Sequence, residues 1–106
     1  MKVYLEDKER YFALEKSEVL YIIITDRRNI IQCKDYQFYT RLSLSAIEKQ
    51  LDDDFIRSHK SCIINLSNVV YYDNKKRKAF FTDSNSIDLI SEETSKKIKL
   101  YFKNKI

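Results

Sequence analysis

Residues 51–65 read Leu-Asp-Asp-Asp-Phe-Ile-Arg-Ser-His-Lys-Ser-Cys-Ile-Ile-Asn. The stretch begins acidic, continues with polar and basic residues around His59, and ends in an apolar run that is closed by Asn65. Because Asn65 follows an apolar pair that we expect to be buried, we interpret Asn65 and Arg57 as residues that hold this turn together. His59 is the single histidine of the chain. With no second ligand at a useful spacing, it does not indicate a metal site.

Short strand patterns surround this stretch on both sides. They cover residues 2–6, 10–14, 19–25, 30–34, 36–41, 69–73, 78–82 and 87–90. The run at 19–25 is rich in isoleucine, which is typical of a buried strand. Polar residues separate the runs, so the first pair and the pair at 69–73 and 78–82 are predicted to form hairpins.

Two short helices interrupt the strand patterns. Ser45 is followed three residues later by Glu48, a capping-box pattern that predicts a helix over residues 45–51. Ser91 and the two glutamates after it are predicted to open a final helix, because acidic residues suit a helix N-terminus. The buried stripe of that helix is predicted to contain Ile98, Tyr101 and Phe102.

Length and composition indicate one small globular domain that spans residues 1–106. The chain is 43% hydrophobic, and no apolar run approaches the length of a membrane span. It shows no signal peptide, so we expect a cytoplasmic protein without a membrane partner. Cys33 and Cys62 are too few for a disulfide framework. We interpret both as small buried hydrophobes, with a regulatory disulfide as the alternative.

Charge is distributed unevenly along the chain. Residues 1–58 carry 10 basic and 11 acidic side chains, whereas residues 59–106 carry 10 basic and 5 acidic ones. A basic second half suits a polyanionic partner such as nucleic acid, although solvated lysines would give the same count.

The stretch at residues 51–65 resembles the signature of LytTR-type DNA-binding domains, and the elements around it follow in the order of that family. The matching residues are Phe55, Arg57, His59, Lys60, Ser61, Ile63, Ile64 and Asn65. The resemblance covers essentially the whole chain. It implies a mostly β fold of short antiparallel sheets with two short helices, which binds promoter DNA through loops rather than through a recognition helix.

The resemblance further implies that three segments contact DNA: the loop after the third strand, the His-Lys-Ser segment and the start of the last helix. The candidate DNA-binding residues are Arg27, Arg28, Asn29, His59, Lys60, Ser61, Ser91, Glu93, Lys96 and Lys97. The implied partner is double-stranded promoter DNA, bound at direct repeats by a homodimer. A receiver domain does not fit in this length, so the chain is either a stand-alone regulator or one half of a longer protein.

Each candidate also has a purely structural interpretation. An arginine such as Arg28 can donate two bonds to guanine and Asn29 can pair with adenine, yet the same residues also suit an ordinary solvated turn. His59 either donates to a phosphate or orients its loop. Lys60 is the better contact, since a flexible ammonium suits phosphate or a groove edge.

The last helix departs from the family, whose members often carry an arginine in its first turn. Here Glu92 and Glu93 occupy that turn, and we interpret them as acids that match the helix dipole. Lys96 or Lys97 would then take over the contact through phosphates. The basic run at residues 75–78 suits either a solvated hairpin tip or a contact with the DNA backbone.

Two classes of function remain open. The first is sequence-specific DNA binding with control of transcription, and the second is a protein-interaction or decoy module of the same fold that binds DNA weakly. An enzyme is not expected, because the sequence has no glycine-rich phosphate loop, no paired carboxylates with histidine and no cluster of metal ligands. No cofactor is expected either.

Overall fold

The computed structural model describes residues 1–26, 28–82 and 84–106. The described chain forms ten strands and two α-helices. Their bounds are β1 Lys2–Asp7, β2 Arg10–Glu15, β3 Val19–Ile24, β4 Asn29–Cys33, β5 Gln37–Thr40, α1 Leu44–Glu48, β6 Phe55–His59, β7 Cys62–Asn65, β8 Tyr71–Asp73, β9 Lys78–Phe80, β10 Ser86–Ile87 and α2 Glu92–Lys105. None of the described helices is long and apolar enough to cross a membrane.

The strands form three small antiparallel sheets. β1 and β2 form a hairpin, β5-β4-β3-β7-β6 form a central sheet, and β10-β9-β8 form a third sheet. In the central sheet Ile22 lies opposite Ile31 on one side and Ile63 on the other. The prediction of a mostly β fold with short antiparallel sheets and two helices is confirmed.

The central sheet separates two hydrophobic cores. Successive side chains of a strand point to opposite faces, so a strand that is buried on both faces is apolar along its length. The first core lies against the β1–β2 hairpin and α1, and includes Val3, Leu14, Ile22, Ile31, Ile47 and Ile63. The second core lies against the third sheet and α2, and includes Leu20, Ile64, Ala79, Phe81, Ile90 and Ile98.

The first helix begins earlier than the sequence pattern indicated. The prediction of a helix over residues 45–51 with Ser45 in the capping box was wrong in its bounds, because Ser43 is the N-cap and its hydroxyl accepts the Ala46 N–H at 3.1 Å. This start places Leu44 in the helix, where it is buried in the first core together with Ile47. The helix ends in a tighter turn, in which the Gln50 N–H donates to the Ile47 carbonyl.

The two cysteines lie on opposite faces of the central sheet. Cys33 belongs to the first core and Cys62 to the second, and both thiols are free. Burial raises the pKa of Cys33 to about 12 and that of Cys62 to about 11. The fold therefore supports their interpretation as small buried hydrophobes and offers no geometry for a disulfide between them.

Candidate nucleic-acid interface

The three predicted DNA-contacting segments meet at one edge of the central sheet. The Ile24 N–H, at the end of β3, donates to the Ser61 carbonyl in the β6–β7 turn at 3.0 Å. The Ser91 N–H, just before α2, donates to the Ser58 carbonyl of β6 at 2.9 Å. The loop after β3, the β6–β7 turn and the start of α2 are therefore neighbours, although Ile24 and Ser91 are 67 positions apart in the sequence.

All three guanidinium nitrogens of Arg57 form hydrogen bonds, two of them within the β6–β7 turn. Its Nε donates to the His59 carbonyl at 3.1 Å and its Nη2 to the Lys60 carbonyl at 2.6 Å. Its Nη1 lies 3.2 Å from a carboxylate oxygen of Glu48 in α1. Planar guanidinium donors suit several acceptors at fixed angles. The interpretation of Arg57 as a residue that holds this turn together is supported by these bonds.

His59 orients the same turn. Its Nδ1 accepts the Ser61 N–H at 3.1 Å, so the neutral imidazole carries its proton on Nε2. Nε2 is thus the nitrogen that can donate outside the turn. The Lys60 side chain is exposed at the tip beside it.

Asn65 joins β7 to the segment between β2 and β3. Its amide group donates to the Lys16 and Val19 carbonyls at 3.1 and 2.9 Å. Its Oδ1 accepts the Ser67 N–H at 3.1 Å and the Ser67 hydroxyl at 2.6 Å. The side chain is fully buried, so Asn65 has a structural role, but it lies at the end of β7 away from the β6–β7 turn, and the interpretation that it holds that turn together was wrong.

Arg28 is anchored rather than solvated. Its Nη1 lies 3.0 Å from an Asp7 carboxylate oxygen, and its guanidinium lies 4.5 Å from the centre of the Tyr39 ring. The Arg28 carbonyl accepts the Thr25 N–H and so closes the loop. The side chain keeps 38% of its surface exposed. The candidate Arg27 lies outside the described residues.

The Asn29 side chain is more buried than is expected of a residue that hydrogen-bonds to a base. The sequence pattern indicated a position in the polar loop, but Asn29 is the first residue of β4 and only 9% exposed. Its side-chain amide donates to the Leu42 carbonyl at 2.7 Å. The burial of this amide keeps it from a base edge, so we correct its position from loop to buried strand end.

Ser91 begins α2 as its N-cap. Its hydroxyl accepts the Thr94 N–H at 3.1 Å and donates to the Thr94 hydroxyl at 2.8 Å. The Ser58 hydroxyl donates to the Leu89 carbonyl at 2.8 Å, which ties the approach to the helix onto β6. Ser91 therefore stabilises the helix start, as a residue of this type does at an N-cap.

The first two turns of α2 carry both signs of charge at the surface. Glu92 and Glu93 lie in the first turn, where acids interact favourably with the helix dipole. Lys96 and Lys97 follow one turn later, and all four side chains are exposed. The lysines can meet phosphates, whereas the glutamates oppose them.

The contacts of Asp7 and Glu48 were missed by the sequence analysis. Asp7 follows Glu6 at the end of β1 and contacts Arg28 across 21 residues, and no local spacing signals such a pair. Across residues 1–26, 28–82 and 84–106, no three His, Cys, Asp or Glu side chains are grouped so that they could hold a metal ion.

Comparisons with known proteins agree with this architecture. A comparison with curated proteins finds no match. Among solved structures, the chain is similar to the LytTr DNA-binding domain of a protein described as a methyl-accepting/DNA response regulator from Bacillus cereus. The identity is 19%, the TM-score is 0.71, and the match covers 97% of this chain and 94% of that one, which shows a shared fold. The family model for the LytTr DNA-binding domain matches residues 9–103. The chain therefore belongs to the LytTR family of DNA-binding domains.

Proposed function

We propose that this chain is a sequence-specific DNA-binding domain of a bacterial transcription regulator and contacts promoter DNA through its loops. The observation that carries the proposal is the shared edge at which three segments meet through the Ile24–Ser61 and Ser91–Ser58 bonds. Several turns that backbone hydrogen bonds fix next to one another can contact one duplex without a recognition helix. On this proposal residues 1–106 act as one domain.

Phosphate contacts come from the exposed lysines of two segments. Lys60 stands at the tip of the β6–β7 turn, and Lys96 and Lys97 follow the start of α2. Ammonium groups on flexible side chains position a protein on the DNA backbone without reading sequence. His59 adds a donor through Nε2, and Ser61 contributes from the same turn.

Base recognition falls to Arg28, whose guanidinium is held by Asp7 and Tyr39 before DNA arrives. A guanidinium that is already oriented loses less conformational freedom when it forms two bonds to guanine. We leave Asn29 out of the proposed contacts because its side chain is buried and bonded to the Leu42 carbonyl. Ser91 acts through the N-cap that positions α2.

The proposed partner is double-stranded promoter DNA that carries direct repeats, each repeat bound by one copy of a homodimer. A receiver domain in a longer chain is the proposed source of control. The proposal gives no catalytic group or cofactor a role. The alternative, an interaction module that binds DNA weakly, is favoured by one observation: Glu92 and Glu93 are exposed where a duplex would lie.

Salt dependence separates the two functions. Duplexes selected by the protein from a random pool serve as the probe, and the dissociation constant is measured between about 50 and about 200 mM salt. If DNA is the partner, the logarithm of affinity falls linearly with the logarithm of salt, with a slope of about −0.9 per phosphate contact. Weak binding that ignores salt on every duplex would refute DNA recognition and leave the interaction module.

Single substitutions assign the contacts. Lys60→Ala, Lys96→Ala and Lys97→Ala should each weaken binding on all sequences and flatten the slope by about one unit. Lys34→Ala is the matched control, because Lys34 follows β4 at the opposite end of the strand from the candidate edge. Glu93→Arg should strengthen binding, since it replaces a like charge beside the phosphates. If Glu93→Arg leaves affinity unchanged, α2 does not approach the duplex.

A further inference from the structure

A basic groove lies between the β8–β9 turn and α2. It has a volume of about 430 Å³. Four of its lining side chains are basic, namely Lys75, Arg77, Lys96 and Lys99, and one is acidic, Glu92. The groove therefore carries a net excess of three positive charges, which is a strong local attraction for an anion.

Side-chain hydrogen bonds hold the hairpin tip against the helix. The Ser95 hydroxyl donates to the Asn74 Oδ1 at 3.1 Å, and the Tyr72 hydroxyl lies 2.5 Å from the same serine oxygen. Within the turn, the Lys75 N–H donates to the Asp73 Oδ1 at 3.0 Å. Two residues of the basic run, Lys75 and Arg77, thus line the groove from a turn that is fixed against the helix. A hairpin tip that only contacts solvent would not be hydrogen-bonded to α2 in this way.

The groove continues the candidate interface along α2. The Ser91 amide ties the start of the helix to β6, and Lys96 belongs to the candidate interface and to the groove wall alike. A duplex seated on the three segments would run past the first turns of α2, so the surface next along this helix is where its flanking backbone would pass.

We propose that this groove binds a backbone phosphate of the flanking DNA, so that the β8–β9 turn supplies a fourth contact segment. The inference rests on the proposed function, because it takes the same duplex as ligand. Two lysines and an arginine beyond those of the three segments then meet the duplex: Lys75 and Arg77 from the turn and Lys99 from the helix. This contact reads no base and adds affinity on every sequence.

The test is a double variant, Lys75→Gln/Arg77→Asn. Asparagine is chosen at position 77 because Arg77 has a φ of 48°, and asparagine tolerates this left-handed region. The matched control is Lys2→Gln/Lys34→Gln, which removes the same charge. Lys2 begins β1 and Lys34 follows β4, whereas Asp7 and Asn29 at the other ends of these strands border the Arg28 loop.

The expected result follows from counterion release. Each lost phosphate contact should weaken binding about 8-fold at about 0.1 M salt and flatten the salt slope by about 0.9. The control should bind like the wild type. Lys99→Gln, on the helix side of the groove, is an independent second variant with the same expected loss, and it decides the matter if the double variant does not fold.

The outcomes separate the two proposals. If the wild type shows no salt-dependent binding, the proposed function fails and the groove proposal fails with it. If the wild type binds with a steep slope but the groove variants match the Lys2→Gln/Lys34→Gln control, the groove proposal alone is overturned. Recovery of the slope in Lys75→Arg/Arg77→Lys would support it, because that variant keeps both charges.

Discussion

Replacing Asn65 by alanine removes four hydrogen bonds from the buried junction between β7 and the segment before β3. Two of these bonds reach the Lys16 and Val19 carbonyls, and two come from Ser67. Both carbonyls keep a second donor, because the Val19 N–H bonds the Lys16 carbonyl and the Asn68 amide bonds the Val19 carbonyl. The Ser67 N–H instead loses the acceptor that the structure gives it.

The magnitude follows from these four bonds. Each contributes about 0.5–1 kcal/mol, because both carbonyls keep a second donor and water can reach the exposed Ser67. Asn65→Ala should therefore lower the free energy of unfolding by about 3 kcal/mol. For a domain of this size that loss lowers Tm by roughly 15 °C.

Urea and thermal unfolding followed by circular dichroism measure this change. Asn68→Ala is the control, because Asn68 also bonds the Val19 carbonyl but donates its other bond to the Ser17 carbonyl near the surface. It should cost less than about 1 kcal/mol. A loss below about 1 kcal/mol for Asn65→Ala, or an equal loss for Asn68→Ala, would refute the view that Asn65 is the residue that ties this junction together.

Three further changes test other parts of the molecule. Arg28→Ala should cost about 1–3 kcal/mol on the preferred duplex and relax base preference, whereas equal weakening on all duplexes would identify Arg28 as a phosphate contact. The hydrogen bond from Lys16 holds the pKa of Asp54 below its usual range, so the ionised Asp54 stabilises the fold above the pKa of the unfolded chain, and this contribution is lost as pH falls through the folded-state pKa. Unfolding experiments below about pH 4 should therefore show a smaller acid loss in Asp54→Asn, and identical acid profiles would contradict this role. Because burial raises the pKa of Cys33 to about 12 and of Cys62 to about 11, iodoacetamide at about pH 8 should label neither thiol in the folded protein and both in urea, and rapid native labelling would contradict the burial.

Strand patterns and the residues 51–65 signature predicted the elements well because their information is local. The isoleucine-rich run at 19–25 corresponds to β3, and the hairpin at 69–73 and 78–82 corresponds to β8 and β9. Both strands are shorter than predicted, since β8 begins only at Tyr71 and β9 already ends at Phe80. The start of α1 was missed because Ser43 and Ser45 are equally good caps by residue type. Burial of Leu44 in the first core favours the earlier start, and that is a tertiary effect.

The candidate site was predictable as a set of segments but not as a set of contacts. The family signature named the three segments, and the backbone bonds of the fold bring them to one edge. The partners of Arg28 and Asn29 come from β1 and from the residues after β5, and only the assembled fold brings them together. Polarity alone could not distinguish an exposed loop amide from one that is bonded to the Leu42 carbonyl.

Some residues at this edge of the central sheet also hold the fold together and others do not, and this difference has an evolutionary consequence. Lys60, Glu93 and Lys97 are exposed, and substitutions at such positions usually change stability by less than about 0.5 kcal/mol. Arg28 and Asn29 are bonded to other elements, so a change at either must be accommodated elsewhere. On the proposed function, descendants of such a protein would change their overall affinity for DNA first, through the β6–β7 turn and the start of α2, while the loop after β3 keeps its base preference.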